Sequence, residues 1–439
     1  MIAVHFVILL LFIFIGAWVG GIGIAFAGGA GVAVMALFGA KPGDLPMQVI
    51  VFIMVVIYCV AAMQSAGGME YLVSLTDRLL RRHPKYLTIL APFVTYMLTF
   101  MASTGQVSFA TMPVIVDVAK EYNIRPTRAL SIGVAGSLLG ITASPISAAT
   151  IFLSGELAKT KTGWGFVELI LVSIPSTFLG VMLTALFFMW WDKMRHNTAL
   201  DTVPAYQERL AAGKVKRPTP TSYEIKPGAK LSVIIFVVTL VIVLAYSILI
   251  SDKVGLITNP VMDSGQCRIS LMLAGALAIL VFCKVDPKKI PGESTFKTGM
   301  TACACILGVA WMGSTFMANH QKWIATVAGD TLSAHSWLFA IIVVLASSLL
   351  YSQAASTKAL FPTALAIGIA PATVAACFPA TSSLFVLPTY PTLLAAIDMD
   401  DTGSTQLGKH FFDHPFMIPG LMAMGLSVVF GFLLSAVVV

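Results

Sequence analysis

Two short polar clusters interrupt otherwise apolar sequence, and both have the make-up of an anion site. The first reads Ser103-Thr104-Gly105-Gln106-Val-Ser-Phe-Ala-Thr-Met-Pro113, the second Ser352-Gln353-Ala-Ala-Ser356-Thr357-Lys358-Ala-Leu-Phe-Pro362. In each, a glutamine precedes a proline by seven to nine residues within a run of small hydroxyl residues. Backbone that breaks at bilayer depth is tolerated only where it is buried in protein or lines a cavity. Its free N–H groups and hydroxyls then sit at the N-terminus of the returning helix, an end that carries roughly half a positive charge and suits carboxylates. Ser and Thr packed between membrane helices would explain either cluster alone. Their recurrence at matching places in both halves of the chain favours a site.

A second pair of segments shows the same doubling. Gly136-Ser-Leu-Leu-Gly-Ile-Thr142-Ala-Ser144-Pro145 lies in the first half, and Thr381-Ser382-Ser383-Leu-Phe-Val-Leu-Pro388-Thr389-Tyr390-Pro391-Thr392 in the second. Prolines remove backbone donors and unwind a helix, freeing carbonyls and hydroxyls, although a simple kink is the plainer outcome. Lys358 is the sharpest single residue: a buried ammonium is costly unless paired, and no Asp or Glu lies in the central part of any predicted span. An anionic ligand is its natural partner. The alternative is that Lys358 snorkels to the surface. The acids Asp398, Asp400 and Asp401 sit just beyond the second unwound segment, where Asp398 is a candidate gate and a solvated loop the blander reading.

Other chemistries find little support. Gly403 to His410 follows a P-loop until His410 replaces the Ser or Thr, and no strand precedes it. The seven histidines form no HExxH, and no intramembrane aspartates pair up, so no metal, no cofactor and no enzyme activity is expected. The cysteines, Cys59, Cys267, Cys283, Cys303, Cys305 and Cys377, lack zinc-site or redox spacing and read as small hydrophobes.

The elements that must position these residues follow from composition. Of 439 residues, 58% are hydrophobic and only 11% charged, and mean hydropathy is +0.90. A soluble enzyme is excluded, since a soluble domain carries roughly a quarter charged residues. Long apolar runs, in place of alternating strands, indicate an all-α polytopic membrane protein. The net charge of +7 reports on membrane orientation and gives no reason to expect nucleic acid as a partner.

Spans are expected at about 2–20, 22–39, 48–66, 129–153 and 167–191, then at about 231–251, 268–283, 299–318, 371–397 and 415–439. No Lys or Arg occurs in the first twenty residues, so residues 2–19 are expected as a retained helix and not a cleaved signal peptide. The broken stretches 86–119 and 336–370 are too long for one simple span. Read as hairpins that enter and return on the same side, they place both termini outside. Inside loops then hold 20 Lys or Arg against 6 outside, as the positive-inside rule requires. Residues 69–85 read as an amphipathic helix anchoring the inner surface.

Each half, 1–191 and 231–439, thus holds about five spans plus one re-entrant hairpin, with an unwound helix at about 129–153 and 371–397. The odd span count makes them two inverted-topology repeats joined by a cytoplasmic linker, 192–230. Candidate ligands for substrate are Ser103, Thr104, Gly105, Gln106, Thr142, Ser144, Pro145, Ser352, Gln353, Ser356, Thr357, Lys358, Thr381, Ser382, Ser383, Thr389, Tyr390 and Thr392.

The stretches GGIGIAFAGGAGV, LLRRHPKYLTILAPFVTY, STGQVSFATMPVI, ITASPISAA, FKTGMTACACILGVAWMG, LLYSQAASTKAL, LPTYPTLLAAI and MDDTG with HPFMIPG resemble the anaerobic C4-dicarboxylate exchangers, the Dcu family of Gram-negative bacteria. The likeness covers essentially the whole chain, and YSQAASTKAL is closer to the A-type subgroup. It implies an inner-membrane exchanger of fumarate, succinate, malate and aspartate, with periplasmic termini. More distantly, the tips and unwound helices resemble elevator-type carriers of the ion transporter superfamily, which implies a homodimer and alternating access. Those carriers bear Ser-Asn-Thr at each tip. The tips here depart from it, which removes the motif of a sodium site and leaves Lys358 to supply positive charge. A proton- or sodium-coupled symporter and an anion channel remain as alternatives.

Overall fold

The computed structural model describes residues 1–439 except 20–21, 46, 104, 106, 161, 196–197, 216–223, 251–255, 258, 298, 302, 305–306, 309–310, 317, 321–334, 351, 388–389, 409–412 and 439. Of the residues singled out above, Thr104, Gln106, Cys305, Pro388, Thr389, Lys409 and His410 lie outside the described residues. Among those described, the chain is helical, with one isolated β-bridge, Ile124 to Ala199. Apolar runs in lipid must satisfy their own backbone, and the helix does this within one segment.

The two halves follow the same order of elements. Three helices come first: Ile2–Val19, Gly23–Leu37 and Met47–Ser65 in one half. Ala229–Leu249, Ser264–Phe282 and a stretch 294–320, helical where described, are their counterparts. A helix–break–helix unit follows, Leu87–Ala102 with Val107–Glu121 and Leu338–Leu350 with Gln353–Ala366. Next comes a broken helix, Pro126–Ala143 with Ala148–Lys159, matched by Pro371–Cys377, Phe378–Phe385 and Pro391–Met399. A long apolar helix closes each half, Phe166–Met194 and Met417–Val438.

Among the described residues six helical segments are long and apolar enough to cross a membrane, and one of them, Pro84–Ala102, includes the leading arm of the first hairpin. Its return arm is different. Charge begins at Asp117, so the apolar part from Val107 reaches about 15 Å, half a hydrocarbon core. The arms of each unit pack against each other.

Packing divides the helices into two bodies. In the outer body, Val56, Val60 and Met63 meet Phe236, Leu240 and Val243, together with Met272 and Ile279. Ile8, Val32 and Met35 meet Met312 and Phe316. The inner body joins the hairpins, broken helices and long helices. Its long helices approach closely: a Cβ on Gly180 would stand 2.2 Å from Ser427 Oγ and 2.6 Å from the Ala423 carbonyl. Small residues serve in this way where membrane helices touch. The seam between the bodies is largely apolar, with Val94, Leu98, Ala102 and Ile146 of the inner body set against the outer cluster and Arg268 of the outer body over the Phe166 ring.

Two surface pieces are more fixed than their composition suggests. The amphipathic helix Gly68–Arg82 buries Leu72, Val73, Thr76 and Leu80, and Arg81 pairs with Asp77 at 2.9 Å and with Glu121. The linker docks on the inner body through described residues between Asp192 and Arg209. Arg128 pairs with Asp192 at 3.0 Å, and Arg125 N donates to Thr198 O while Leu200 N donates to Asn123 O. The short helix Pro204–Ala211 then brings Arg209 onto the Asp401 carbonyl.

Candidate functional site

Each polar cluster of the sequence lands at a helix break. At the first tip Ser103 takes a left-handed backbone (φ +55°) and its N–H caps the leading arm on Thr99 O at 2.7 Å. Ser108 Oγ closes the turn on the Gly105 carbonyl. At the second tip Ser352 is the N-cap, its Oγ accepting from Ala355 N at 3.2 Å. The first broken helix stops at Ala143, and Ser147 caps its continuation by accepting from Thr150 N. Thr150 Oγ1 reaches back across the break to the Thr142 carbonyl at 3.1 Å. In the second, Phe378–Phe385 tightens into a 3-10 helix before the chain restarts at Pro391.

One glutamine ties three of these segments together. Gln353 Oε1 accepts from Thr142 Oγ1 at 3.1 Å, and its Nε2 donates to the Leu138 carbonyl at 2.7 Å and to Ser382 Oγ at 3.4 Å. The hydroxyls of Thr142 and Ser382 lie 2.6 Å apart. The fourth segment arrives from the other side of the same helix. A Cβ on Gly105 would be 3.6 Å from Ser137 Oγ, 3.7 Å from Ile141 Cδ1 and 3.8 Å from Thr392 Cγ2. Residues 137–142 are thus the hub on which both hairpin tips and both broken helices meet.

The return arms cross between halves. Val107–Glu121 starts beside Thr392 and ends with Lys120 against Asp401 at 3.1 Å, so it lies along Pro391–Met399 from the opposite half. Gln353–Ala366 packs on Ala148–Lys159 in the same way, with Ala354 and Ala148 against one cluster and Lys358 over Phe152. All four helices begin at the hub. Each N-terminus carries about half a positive charge, so together they offer about +2. A dicarboxylate brings −2.

Two hydroxyls at the hub have no hydrogen-bond partner among the described residues. Ser144 Oγ sits in the first break and Thr392 Oγ1 at the second helix restart, one beside each pair of N-termini, and both residues are buried. Buried polar groups in native proteins are ordinarily satisfied, so this pair marks the centre as a candidate binding place.

Not every expected residue faces this centre. Ser356 donates to the Ser352 carbonyl, Thr357 to that of Gln353, Thr381 to that of Phe378 and Ser383 to that of Val344. Pro145 shapes the break and lines an apolar pocket with Ile146, Phe166 and Arg268. Tyr390 is half-buried and Asp398 is exposed. Lys358 is 5% exposed and its Nζ lies 5.4 Å from the Phe152 ring centre, on a different face from Gln353. Ser137, which accepts from Thr99 Oγ1 at 3.1 Å and flanks Gly105, was missed as a site residue. Its signal was its place inside the glycine-flanked run 136–140. Asp400 was grouped with a solvated loop, yet it is 1% exposed and accepts from Thr402 N, Ser404 Oγ and Thr405 N. Among the described residues no group of three or more His, Cys, Asp or Glu is placed to hold a metal.

The family described as anaerobic C4-dicarboxylate membrane transporter matches residues 1–439. C4-dicarboxylate transporter DcuA of Wolinella succinogenes is 49% identical over 438 residues, covering 100% of both chains. Its namesake in Escherichia coli K12 is 49% identical over 99% of each. Anaerobic C4-dicarboxylate transporter DcuB of Escherichia coli O6:H1 is 33% identical over 99% of this chain and 98% of its own. Among solved structures, the YdaH transporter of Alcanivorax borkumensis shares the fold at a TM-score of 0.56 and 15% identity, covering 87% of this chain and 84% of its own.

Proposed function

Because this chain belongs to the anaerobic C4-dicarboxylate membrane transporter family, we propose that it exchanges one C4-dicarboxylate for another, fumarate or aspartate against succinate or malate, across the inner membrane. Membership makes it a multi-pass membrane transporter and not an enzyme. The observation that carries the finer reading is the hub: four helix N-termini converge there with two buried hydroxyls that have no hydrogen-bond partner among the described residues. Each substrate carboxylate takes one pair of N-termini. Ser144 holds one end and Thr392 the other, while Gln353, Thr142 and Ser382 keep the tips and breaks in register.

Movement follows from the two bodies. The inner body carries the whole hub, and the apolar seam beside Val94, Leu98 and Ile146 supports a sliding, elevator-type step past the outer body. The two halves act as inverted repeats, with both termini periplasmic and the linker 192–230 cytoplasmic. The shared element order and the basic inside loops support this.

Counterflow in liposomes tests the reading. Labelled fumarate is offered outside vesicles that hold purified protein with unlabelled succinate or nothing inside. Uptake confined to succinate-loaded vesicles is the expected result. Uptake into empty vesicles driven by a sodium or proton gradient overturns exchange in favour of symport, and gradient-independent flux without saturation indicates a channel. Reporter fusions at Met1 and Val439 should read the periplasm, and one in the linker the cytoplasm.

A further inference from the structure

Lys358 has no place in the hub's hydrogen-bond network, yet it is a buried cation with no hydrogen-bond partner among the described residues. Its surroundings are Cys303, with which it interacts electrostatically, and the Phe152 ring at 5.4 Å, a cation–π contact that returns only part of the cost of desolvating an ammonium. Its position matters as much as its burial. Ala354, one turn earlier on the same helix face, packs against Ile50, Ile57 and Cys303 of the outer body. The charge therefore rides on the inner body at the sliding seam, next to the return-arm N-terminus that helps make the hub positive.

We propose that Lys358 enforces exchange: its unpaired charge holds the empty inner body in place, and a bound dicarboxylate releases it. This rests on the exchange reading above. Empty, the hub and Lys358 together present a surplus of positive charge to an apolar seam, and crossing that seam means dragging an uncompensated cation through it. Loaded, the dianion brings −2 against the helix ends and Lys358 together, which cuts the surplus from about +3 to about +1. The device is economical because one side chain converts a carrier that would leak its substrate gradient into one that returns only when reloaded.

The test uses the full chain in liposomes filled with labelled succinate, with efflux followed into buffer that holds either no substrate or unlabelled fumarate. Wild type is expected to release label quickly only into fumarate. K358M should raise efflux into substrate-free buffer by about tenfold or more, the size expected when an unpaired buried charge is taken out of a barrier, whereas K358R keeps the coupling. F152E is the second variant, since a carboxylate beside Nζ gives the cation a permanent partner and should uncouple in the same way. A folded K358M or F152E whose substrate-free efflux stays within about twofold of wild type overturns the proposal. So does a folded K358M that has lost exchange altogether, because Lys358 is then a substrate ligand. Wild type without stimulation by fumarate defeats the exchange reading itself, a separate result.

Discussion

Gln353→Glu changes one atom's chemistry at the centre of the hub. The amide Nε2 donates to the Leu138 carbonyl at 2.7 Å, and a carboxylate there turns that bond into two facing acceptors. It also sets a negative charge in the proposed binding place of a dianion. With about 6 Å between this carboxylate and the nearer substrate carboxylate, and an effective dielectric near 20, the repulsion is about 3 kcal/mol. That is roughly a hundredfold loss of affinity. The sign with pH follows from the same contact. Only the protonated acid can donate to Leu138, so the variant binds a proton in the folded site and recovers transport as the medium is acidified. The assay is KM for fumarate in succinate-loaded liposomes across a pH series, with wild type alongside to correct for protonation of the substrate. A KM within about twofold of wild type near neutral pH, in protein of wild-type melting temperature, would refute the placement of Gln353 at the binding centre.

Three further outcomes are expected. Ser144→Ala and Thr392→Val remove hydroxyls that no described residue engages, so thermal stability without substrate should shift by less than about 0.5 kcal/mol while KM for dicarboxylate rises. Gly180→Ala places a methyl 2.2 Å from Ser427 Oγ, and overpacking of this kind should cost about 1–3 kcal/mol in detergent melting experiments. Asp400→Asn presents an amide where Thr402 N, Ser404 Oγ and Thr405 N now donate. It should loosen the loop 400–405 by about 2–3 kcal/mol, visible as faster hydrogen exchange there while the buried long helices stay protected.

The helices and their breaks were legible because each rests on a strong local signal: run length, a polar interruption, or a proline. Gln353, Thr142 and Ser382 could be named for the same reason, since each sits in such an interruption. What the pattern could not show is which hydroxyls are already spent. Thr357 and Ser356 bond to carbonyls four residues back, a local option open to any helical Ser or Thr and invisible in composition. Nor did spacing reveal that each return arm lies along the broken helix of the opposite half, because that pairing joins Lys120 to Asp401, residues remote in sequence with nothing local to link them. The linker docking escaped for a related reason: the bridge from Ile124 to Ala199 is a backbone contact and leaves no side-chain signature. Lys358 stood out by type alone, but its seat over Phe152, one turn from the seam, is a tertiary contact that leaves no trace in the sequence.

The crossing of the return arms bears on how the protein is made. When the ribosome has delivered residues 1–191, the hub helix and the first hairpin tip are in the membrane, but the partners of both are not. Val107–Glu121 waits for Pro391–Met399, and Ala148–Lys159 waits for Gln353–Ala366. Until then Thr142 lacks Gln353 and Ser382, and the unwound backbone beside it has only water, lipid headgroups or a chaperone for company. The first half alone therefore carries an open polar notch, which closes only when the second half packs into it. Cutting the chain in the linker should yield fragments that transport only when synthesised together, each being half of a joint.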